Sequence, residues 1–329
     1  MKNLYDLSYD EIKDYLTSIG EHRYRASQIF CKDINTASNI SKALKEKLNQ
    51  DFYTHIPEIV TVQKSKDGTE KLLLKMTDGA LVETVLLTQD YGTTACISTQ
   101  VGCKMGCKFC ASGRHGFKRH LTAGEILGQI LIFETRPTNI VIMGMGEPFD
   151  NFDNVIKFLQ LVFHKEGVQI SGRNISLSTV GLPDGIRAFA DLKMQVNLCI
   201  SLHAPNDKVR QSIMPMAKVH PMQSIMDAVD YFFEKTHRRV IFEYSMIDGV
   251  NCSIEHALEL SRLLKKLTAK FHVNLINMND TGVGYAPPPF EKAKIFMDTL
   301  IKSGVSCTMR KSKGTDIMAA CGQLASRVT

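Results

Sequence analysis

The sequence contains no tryptophan and no long hydrophobic segment. No apolar stretch reaches the roughly 18 residues that a membrane-spanning helix needs, which argues against a membrane protein. The segment from Met1 to Leu7 lacks the continuous apolar region of a secretory signal. Tandem repeats and low-complexity stretches are absent as well, which excludes repeat arrays and disordered tails. We therefore expect a cytoplasmic protein, in a compartment where thiols stay reduced.

The composition that is present is that of an ordinary folded protein. Of the 329 residues, 44% are hydrophobic and 22% are charged, close to the average for globular domains. The length exceeds the roughly 250–300 residues at which one core stops growing, so we expect a large domain and a smaller one. A formal net charge of +6 is compatible with a polyanionic partner. Nine cysteines in a reducing compartment need an explanation other than disulfides.

The hydrophobic pattern divides the chain into three parts. Residues 1–50 predict short helices, and residues 51–92 predict strands with a hairpin turn at Thr77 to Gly79. Over residues 93–329, six strands alternate with helices, which indicates an α/β fold with a parallel sheet or partial barrel. In such folds the chemistry lies at the C-terminal ends of the strands.

The strongest chemical motif is a group of three cysteines spaced C-x₃-C-x₂-C directly after a predicted strand: Cys103, Cys107 and Cys110. A structural zinc site usually has four protein ligands, and here the nearest fourth candidates are His115 and His120. Three thiolates can instead hold three irons of a [4Fe–4S] cluster and leave the fourth iron open. That iron can bind the amino and carboxylate groups of S-adenosylmethionine. We therefore favour a cluster over zinc.

Polar residues that could hold such a ligand follow the later strands. In the segment Gly144 to Pro148, glycines such as Gly146 let a ligand approach the backbone, and Glu147 could hold an ammonium group. The other candidates at strand ends are Ser178, Ser201, Leu202, His203 and Asn279. Each alone is more often a simple hydrogen-bonding residue or part of a turn, but together they predict a ligand site.

A lone cysteine near the C-terminus, Cys321, follows a basic loop that contains Arg310, Lys311 and Lys313. Such a cysteine is usually a packed thiol. Positive neighbours, however, lower the pKa of a thiol and make it a nucleophile. A second basic run between Val101 and His120 has no acidic residue, which is compatible with contacts to a polyanion.

In this order, the motifs resemble those of the RlmN/Cfr family of radical S-adenosylmethionine methyltransferases, which modify adenosine in ribosomal RNA. The resemblance runs from about residue 55 to the C-terminus and includes Val82 to Val85, Cys96, the three-cysteine motif, Met143 to Pro148, Leu177 to Thr179, Ser201 to Pro205, Val273 to Ile276 and Ala319 to Leu324. The segment Asn277 to Asp280 departs from the family pattern, which leaves contacts to adenosine there undefined.

The resemblance implies a partial (β/α)₆ radical S-adenosylmethionine barrel over residues 93–329. Residues 1–50 would form a helical RNA-binding accessory domain, and residues 51–92 a β-hairpin extension. The three-cysteine motif would hold the [4Fe–4S] cluster, and the strand-end residues would bind S-adenosylmethionine. The implied partners are 23S ribosomal RNA, a transfer RNA and an electron donor of the flavodoxin or ferredoxin type. We expect a monomer.

The resemblance also implies a route by which an electron-poor adenine carbon is methylated. Cys321 first takes a methyl group from one S-adenosylmethionine. A 5′-deoxyadenosyl radical made from a second molecule then removes hydrogen from that methyl group, and the carbon radical adds to adenine. Cys96 resolves the protein–RNA link and ends in a transient disulfide with Cys321. Glu83 is the implied proton acceptor, although its residue pattern alone favours a solvent-facing strand carboxylate.

We therefore expect an RNA methyltransferase that acts on C2 of an adenosine in 23S ribosomal RNA, with a transfer RNA adenosine as a further substrate. The nearest alternative is methylation of C8 of the same adenosine, the antibiotic-resistance activity of the other branch. A further alternative is a non-catalytic RNA-binding or metal-binding protein. The remaining cysteines, Cys31, Cys199, Cys252 and Cys307, are expected to be structural.

Overall fold

Short helices form the N-terminal part of the chain. The computed structural model describes residues 1–114 and 116–325, so His115 lies outside the described residues. The N-terminal elements are β1 (Lys2–Asn3), α1 (Tyr9–Ser18), α2 (Ala26–Ile29), α3 (Lys42–Asp51) and β2 (Phe52–Tyr53). Helix α1 begins where the Ser8 hydroxyl accepts a bond from Glu11 N, as its sequence predicts. Strands β1 and β2 pair in parallel, which joins the two ends of this segment.

Most of the remaining strands belong to one ten-stranded sheet. Its first four strands in the chain are antiparallel neighbours: β3 (Glu58–Lys64), β4 (Glu70–Lys75), β5 (Leu81–Gln89) and β6 (Gly92–Cys96). A small antiparallel pair follows, β7 (Gln100–Val101) with β8 (Arg119–His120). The other six strands of the large sheet are parallel to β6: β9 (Asn139–Ile142), β10 (Ile175–Thr179), β11 (Asn197–Ser201), β12 (Val240–Met246), β13 (Phe271–Asn277) and β14 (Cys307–Arg310).

Helices connect the parallel strands and cover the sheet. They are α4 (Ala123–Leu131), α5 (Phe152–Phe163), α6 (Pro183–Asp191), α7 (Asp207–Ile213), α8 (Met222–Thr236), α9 (Ile254–Leu264) and α10 (Phe290–Lys302). The predicted α/β fold, with six strand–helix units from β6 to α10, is confirmed. Within the described part of the chain, no helix is long and apolar enough to cross a membrane.

Three details differ from the expectation. A seventh parallel strand, β14, follows the sixth unit, and β3, β4 and β5 continue the main sheet rather than standing apart as an extension. The first parallel strand ends at Cys96, whereas the sequence pattern predicts a strand from Ala95 to Thr99. It ends because the backbone N–H and C=O of Ser98 bond to the side chain of Gln129 instead of to a neighbouring strand.

The parallel strands have an apolar face and a polar face. In β12, Val240, Phe242 and Tyr244 are fully buried in the core. The alternate residues Glu243 and Ser245 point to the opposite face, as the two-residue period of a strand requires, and they line a cavity. Packing against the helices therefore uses one face and leaves the other for polar side chains.

The Gln129 side chain joins helix α4 to the strands beside the site. Besides its two bonds to Ser98, its Oε1 atom accepts a hydrogen bond from the Thr84 hydroxyl at 2.7 Å. The Ser98 hydroxyl then donates to Glu83 O and accepts from Met145 N. All of these groups are buried, so the network fixes β5, the end of β6 and the loop after β9 relative to one another.

Replacing Gln129 with Leu should destabilise the fold by about 2–4 kcal/mol, because it leaves three buried polar groups without partners. Chemical denaturation would measure this loss. The matched control is Gln160→Leu, at an exposed position of α5, which should change the free energy of unfolding by less than about 0.5 kcal/mol. Equal effects of the two changes would show that the network does not hold these elements.

Candidate active site

The C-terminal ends of the parallel strands surround an open cavity. Residues from widely separated parts of the chain line it. Among the residues expected at a site, those that line it are Cys103, Cys107, Cys110, Gly146, Glu147, Ser178, Ser201, His203, Asn279 and Cys321. The structure thus brings the cysteine motif, the strand-end residues and the C-terminal cysteine to one place.

The cysteine motif lies on a loop that follows β7. Gly102 has a φ of +77°, and a Cβ there would lie 1.8 Å from the carbonyl oxygen of Gly116, so only glycine fits. The loop is tied down by bonds from Lys108 N to Ile213 O and from Ala111 N to Gly322 O. The second of these places the cysteine loop directly beside the segment that carries Cys321.

The three thiols of the loop are mutually close and largely shielded from water. Burial raises the pKa of Cys103 to about 12, and the nearby Cys110 thiol adds to the effect. Burial also raises the pKa of Cys107, again with a contribution from Cys110 and Cys103. Because three neighbouring thiolates would repel one another, deprotonation of the set needs a cationic group that binds the sulfurs.

The chemistry of this donor set fits an iron–sulfur cluster. Across residues 1–114 and 116–325, no three His, Cys, Asp or Glu side chains lie close enough together to share one metal ion. A [4Fe–4S] cluster binds each cysteine sulfur at a separate iron. Cys103, Cys107 and Cys110 all line the cavity, where they could hold three irons and leave the fourth facing the open space.

The glycine-containing loop after β9 packs closely on β7. Gly146 has a φ of +102°, and a Cβ there would lie 2.7 Å from the Gln100 side chain. Glu147 is 2% exposed, and its carboxylate accepts bonds from Phe149 N at 3.1 Å and Val180 N at 2.8 Å. Burial raises the pKa of Glu147 to about 7. A ligand ammonium in the cavity would favour its ionised form.

The residues after β10 and β11 differ in what they offer a ligand. The hydroxyls of Ser178 and Ser201 lie 3.1 Å apart and both line the cavity. Nδ1 of His203 accepts a bond from Ser245 N, and burial lowers the pKa of His203 to about 3, so the imidazole is neutral. Leu202 does not line the cavity, because its side chain is fully buried in the core. It can contribute only through its backbone.

Glu83, on β5, and Cys96, at the end of β6, were expected at the site but are not among the described residues that line the cavity. The prediction of a solvent-facing Glu83 is wrong: the residue is 3% exposed, and Lys71 Nζ lies 3.2 Å from its Oε1 atom. Its Oε2 atom accepts a bond from Ala325 N at 2.5 Å. Burial raises the pKa of Cys96 to about 12, and the thiol of Cys321 is near enough to add to that effect.

The electrostatics of Cys321 differ from the expectation. Cys321 is exposed as a residue, yet its pKa is raised rather than lowered, because desolvation of the sulfur by its neighbours outweighs the opposing effect of the Arg310 guanidinium. Arg310 is the only member of the basic loop among the described lining residues, since Lys313 Nζ instead donates to Thr88 O. Asn279, which was expected to bind the ligand, also donates from Nδ2 to Cys321 O at 3.0 Å.

Two lining residues were not predicted as site residues. Glu243 lies within β12 and Arg310 at the end of β14, and Arg310 Nη1 lies 3.5 Å from Glu243 Oε1. Glu243 stands between the apolar Phe242 and Tyr244, and the alternation of a strand would have placed it on the inner face. Arg310 had been noted only as part of a basic loop, because the sequence offered no clear strand there.

The basic run around the cysteines is only partly free to contact RNA. Arg119 bonds the carboxylates of Asp78 and Glu125, so it holds protein elements together. Its expected role as a phosphate contact therefore loses support. Lys108 and Lys118, in contrast, are exposed and form no ion pair with a described residue.

Comparisons with known proteins agree with this geometry. The family model of the radical SAM superfamily matches residues 97–261, and that of the ribosomal RNA large subunit methyltransferase N-terminal domain matches residues 2–53. A probable dual-specificity RNA methyltransferase RlmN from Clostridium perfringens is 46% identical over 98% of this chain and 96% of its own length. The corresponding protein from Bacillus velezensis is 44% identical over 98% of this chain and 92% of its own.

The chain belongs to the RlmN family of radical SAM methyltransferases. The resemblance seen in its sequence motifs is thereby confirmed. A crystal structure of a radical SAM methyltransferase from Sphaerobacter thermophilus superimposes with a TM-score of 0.95 at 38% identity, covering 99% of this chain and 100% of the other. Membership of the superfamily implies S-adenosylmethionine and a [4Fe–4S] cluster as cofactors.

For this RlmN-family chain, anaerobic reconstitution should yield about four irons and four sulfides per chain. Cys107→Ala should lose most of this iron, because one corner of the cluster loses its ligand. Iron analysis and the visible absorption spectrum would measure the loss. The matched control is Cys307→Ala, since Cys307 lies outside the cavity and its thiol donates to Met297 O. Stoichiometric zinc without iron in protein purified without air would contradict the assignment.

Proposed function

We propose that this chain methylates C2 of an adenosine in 23S ribosomal RNA, and of a transfer RNA adenosine, through a methyl group carried on Cys321. The observation that carries the proposal is that Cys321 and the three-cysteine loop open onto one cavity, with Cys96 next to Cys321. The names of the relatives, which describe dual-specificity RNA methyltransferases, support the choice of RNA substrates.

Different sides of the cavity would hold the cofactors. Cys103, Cys107 and Cys110 would hold the cluster. S-adenosylmethionine would lie against Gly146, Glu147, Ser178, Ser201, His203 and Asn279. When bound, these groups supply a transferable methyl group and the radical chemistry that activates it. The expected contact with Leu202 gains no support, since its carbonyl oxygen accepts a bond from Arg210 Nε.

Cys321 would act as the methyl carrier. Its thiol must lose a proton to attack a sulfonium methyl, and the Arg310 guanidinium favours the thiolate although enclosure opposes it. The bonds from Asn279 Nδ2 to Cys321 O and from Ala111 N to Gly322 O hold this segment beside the cluster loop. The carrier is therefore fixed where both the methyl donor and the adenine can reach it.

Glu83 and Cys96 would complete the reaction after the carrier carbon has joined adenine. The radical adduct would have to lose one electron, for which the iron–sulfur cluster would be the acceptor, and Glu83 would accept the proton that leaves the modified ring carbon, with Lys71 as its counter-charge. Cys96 would then attack the sulfur of Cys321. That step breaks the sulfur–carbon bond, forms a disulfide between the two cysteines and leaves the carbon to take up a proton as a methyl group.

The deciding experiment is mass spectrometry of RNA from cells that lack their own enzyme and express this chain. We expect 2-methyladenosine in both ribosomal and transfer RNA. Appearance of 8-methyladenosine instead would assign the chain to the other regiochemistry, and the absence of both would indicate a non-catalytic protein. The reaction also needs a reducing partner, and we expect a flavodoxin or ferredoxin in the cytoplasm.

The two cysteines outside the cluster loop should behave differently when changed. Cys321→Ala should abolish methylation while the cluster is still loaded. Cys96→Ala should accumulate a covalent protein–RNA adduct, because carbon transfer precedes the step that Cys96 carries out. Denaturing electrophoresis with labelled RNA would show the adduct as a slow band that requires Cys321.

Cys252 provides the control for this pair, because its thiol is buried outside the cavity and contacts Ile247 O. The Cys252→Ala variant should methylate RNA as the wild-type chain does and should not accumulate the protein–RNA adduct. If Cys96→Ala also turned over normally with no adduct, Cys96 would have no part in resolution.

Exposed lysines near the cavity should contribute to RNA affinity. Changing both Lys108 and Lys118 to Ala should weaken binding to many RNAs alike, since phosphate contacts carry no sequence information. The slope of log K against log salt should fall by about 0.7–0.9 per lost contact. Binding measured across a salt series would test this. Changing the exposed Lys265 and Lys266, which follow α9 and form no ion pair with a described residue, in the same way shows whether any two lysines suffice.

A further inference from the structure

A buried carboxylate in the cavity has no part in the proposed reaction. Glu243 is 4% exposed and lines the cavity from β12. Its Oε1 atom accepts a bond from Asn274 Nδ2 at 3.0 Å and lies 3.5 Å from Arg310 Nη1. Its Oε2 atom is buried and has no hydrogen-bond partner among the described residues.

An unpartnered carboxylate oxygen in this position requires an explanation. Buried polar atoms in native proteins almost always have a partner, and leaving one without a donor is costly. Burial raises the pKa of Glu243, while the Arg310 guanidinium and the Asn274 amide favour its ionised form. An ionised carboxylate can only accept hydrogen bonds, so the missing partner is a donor. Because Glu243 lines the cavity, a bound ligand can supply that donor.

The surrounding charges restrict the kind of donor. Arg310 already compensates the charge of Glu243, so a cationic ligand group at Oε2 would leave an excess positive charge in a poorly hydrated space. An anionic group would be repelled by the carboxylate. A neutral N–H or O–H group remains.

The position of Glu243 in the sheet restricts the ligand further. Glu243 is the register partner of Ser201 on the neighbouring strand, and Ser201 contacts Ser178 on the next. The three side chains therefore form a polar row across β10, β11 and β12 at the base of the cavity. Such a row suits the hydroxyl and amino groups of a nucleoside.

We propose that Glu243 is a binding residue for an adenosine, and that its Oε2 atom accepts a hydrogen bond from an amino or hydroxyl group of that nucleoside. The inference rests on the proposed function, which brings two adenosines to the cavity, one in S-adenosylmethionine and one in the RNA. Both carry the same neutral donors, so separate binding measurements distinguish them.

The test compares wild-type chain, Glu243→Gln and Glu243→Asp, each reconstituted anaerobically with its cluster. Calorimetry gives the Kd for S-adenosylhomocysteine, and fluorescence anisotropy gives the Kd for a 23S ribosomal RNA fragment that contains the unmodified target. Glu243→Gln should weaken the binding of one of the two ligands by about ten- to a hundredfold, which is the effect of losing a hydrogen bond to a charged group. Iron content should stay unchanged.

Two comparisons separate ligand contact from other roles. Glu243→Asp keeps the counter-charge for Arg310 but withdraws the oxygen from the cavity, so it should also weaken binding. Glu259→Gln removes a carboxylate outside the cavity, one that accepts a bond from Asn206, and should leave both Kd values unchanged. Wild-type affinity in Glu243→Asp would mean that Glu243 acts only as a counter-charge, which overturns the inference.

The pattern of losses identifies the bound nucleoside. Weaker S-adenosylhomocysteine binding alone assigns the contact to the methyl donor, and weaker RNA binding alone assigns it to the target adenosine. Unchanged affinity for both ligands in Glu243→Gln overturns the inference while the proposed function stands. A wild-type chain that binds neither ligand overturns both.

Discussion

The site depends on a set of long-range hydrogen bonds that hold the C-terminal segment against the start of the sheet. Ala111 N donates to Gly322 O, the Ser112 hydroxyl donates to Leu324 O, and Ala325 N donates to the carboxylate of Glu83. The last two bonds join residues that are 212 and 242 positions apart in the chain. Together with the bond from Asn279 Nδ2 to Cys321 O, they hold Cys321 beside the cysteine loop.

Closing this segment over the strands also sets the electrostatics of the cavity. Desolvation raises the pKa of the thiols of Cys96, Cys103 and Cys321, so each of them loses its proton less readily than a thiol in water. Arg310 counters this effect from one side. On the other side, the buried Arg210 donates hydrogen bonds to the carbonyl oxygens of Val180, Ser201 and Leu202. Its positive charge also interacts with the thiol of Cys107. The cavity thus combines protected thiols with fixed positive charge.

The sequence predicts the elements whose pattern is local, and it misses those defined by distant contacts. The six strand–helix units and the capped start of α1 follow from periodicity and capping residues, and both are present. The burial of Glu83 could not be predicted, because it depends on Lys71 and Ala325. Likewise, the sequence shows a basic run around Arg119, but only the fold shows that Arg119 forms ion pairs with Asp78 and Glu125.

Four strands of the large sheet, β3, β4, β5 and β14, lie outside the six strand–helix units and flank them on two sides. The register partner of Cys96 on β5 is Val85, and Glu83 lies two residues before it on the same face of the sheet. Lys71 reaches Glu83 from the adjacent β4. At the opposite side, β14 extends the sheet and brings Arg310 to Glu243. Of these two charged pairs, Arg310 and Glu243 line the cavity, whereas Lys71 and Glu83 are not among the described residues that line it. The added strands thus contribute the proposed proton acceptor Glu83 and the positive partner of Glu243, whereas the six units contribute Glu243 itself and most of the proposed cofactor-binding residues.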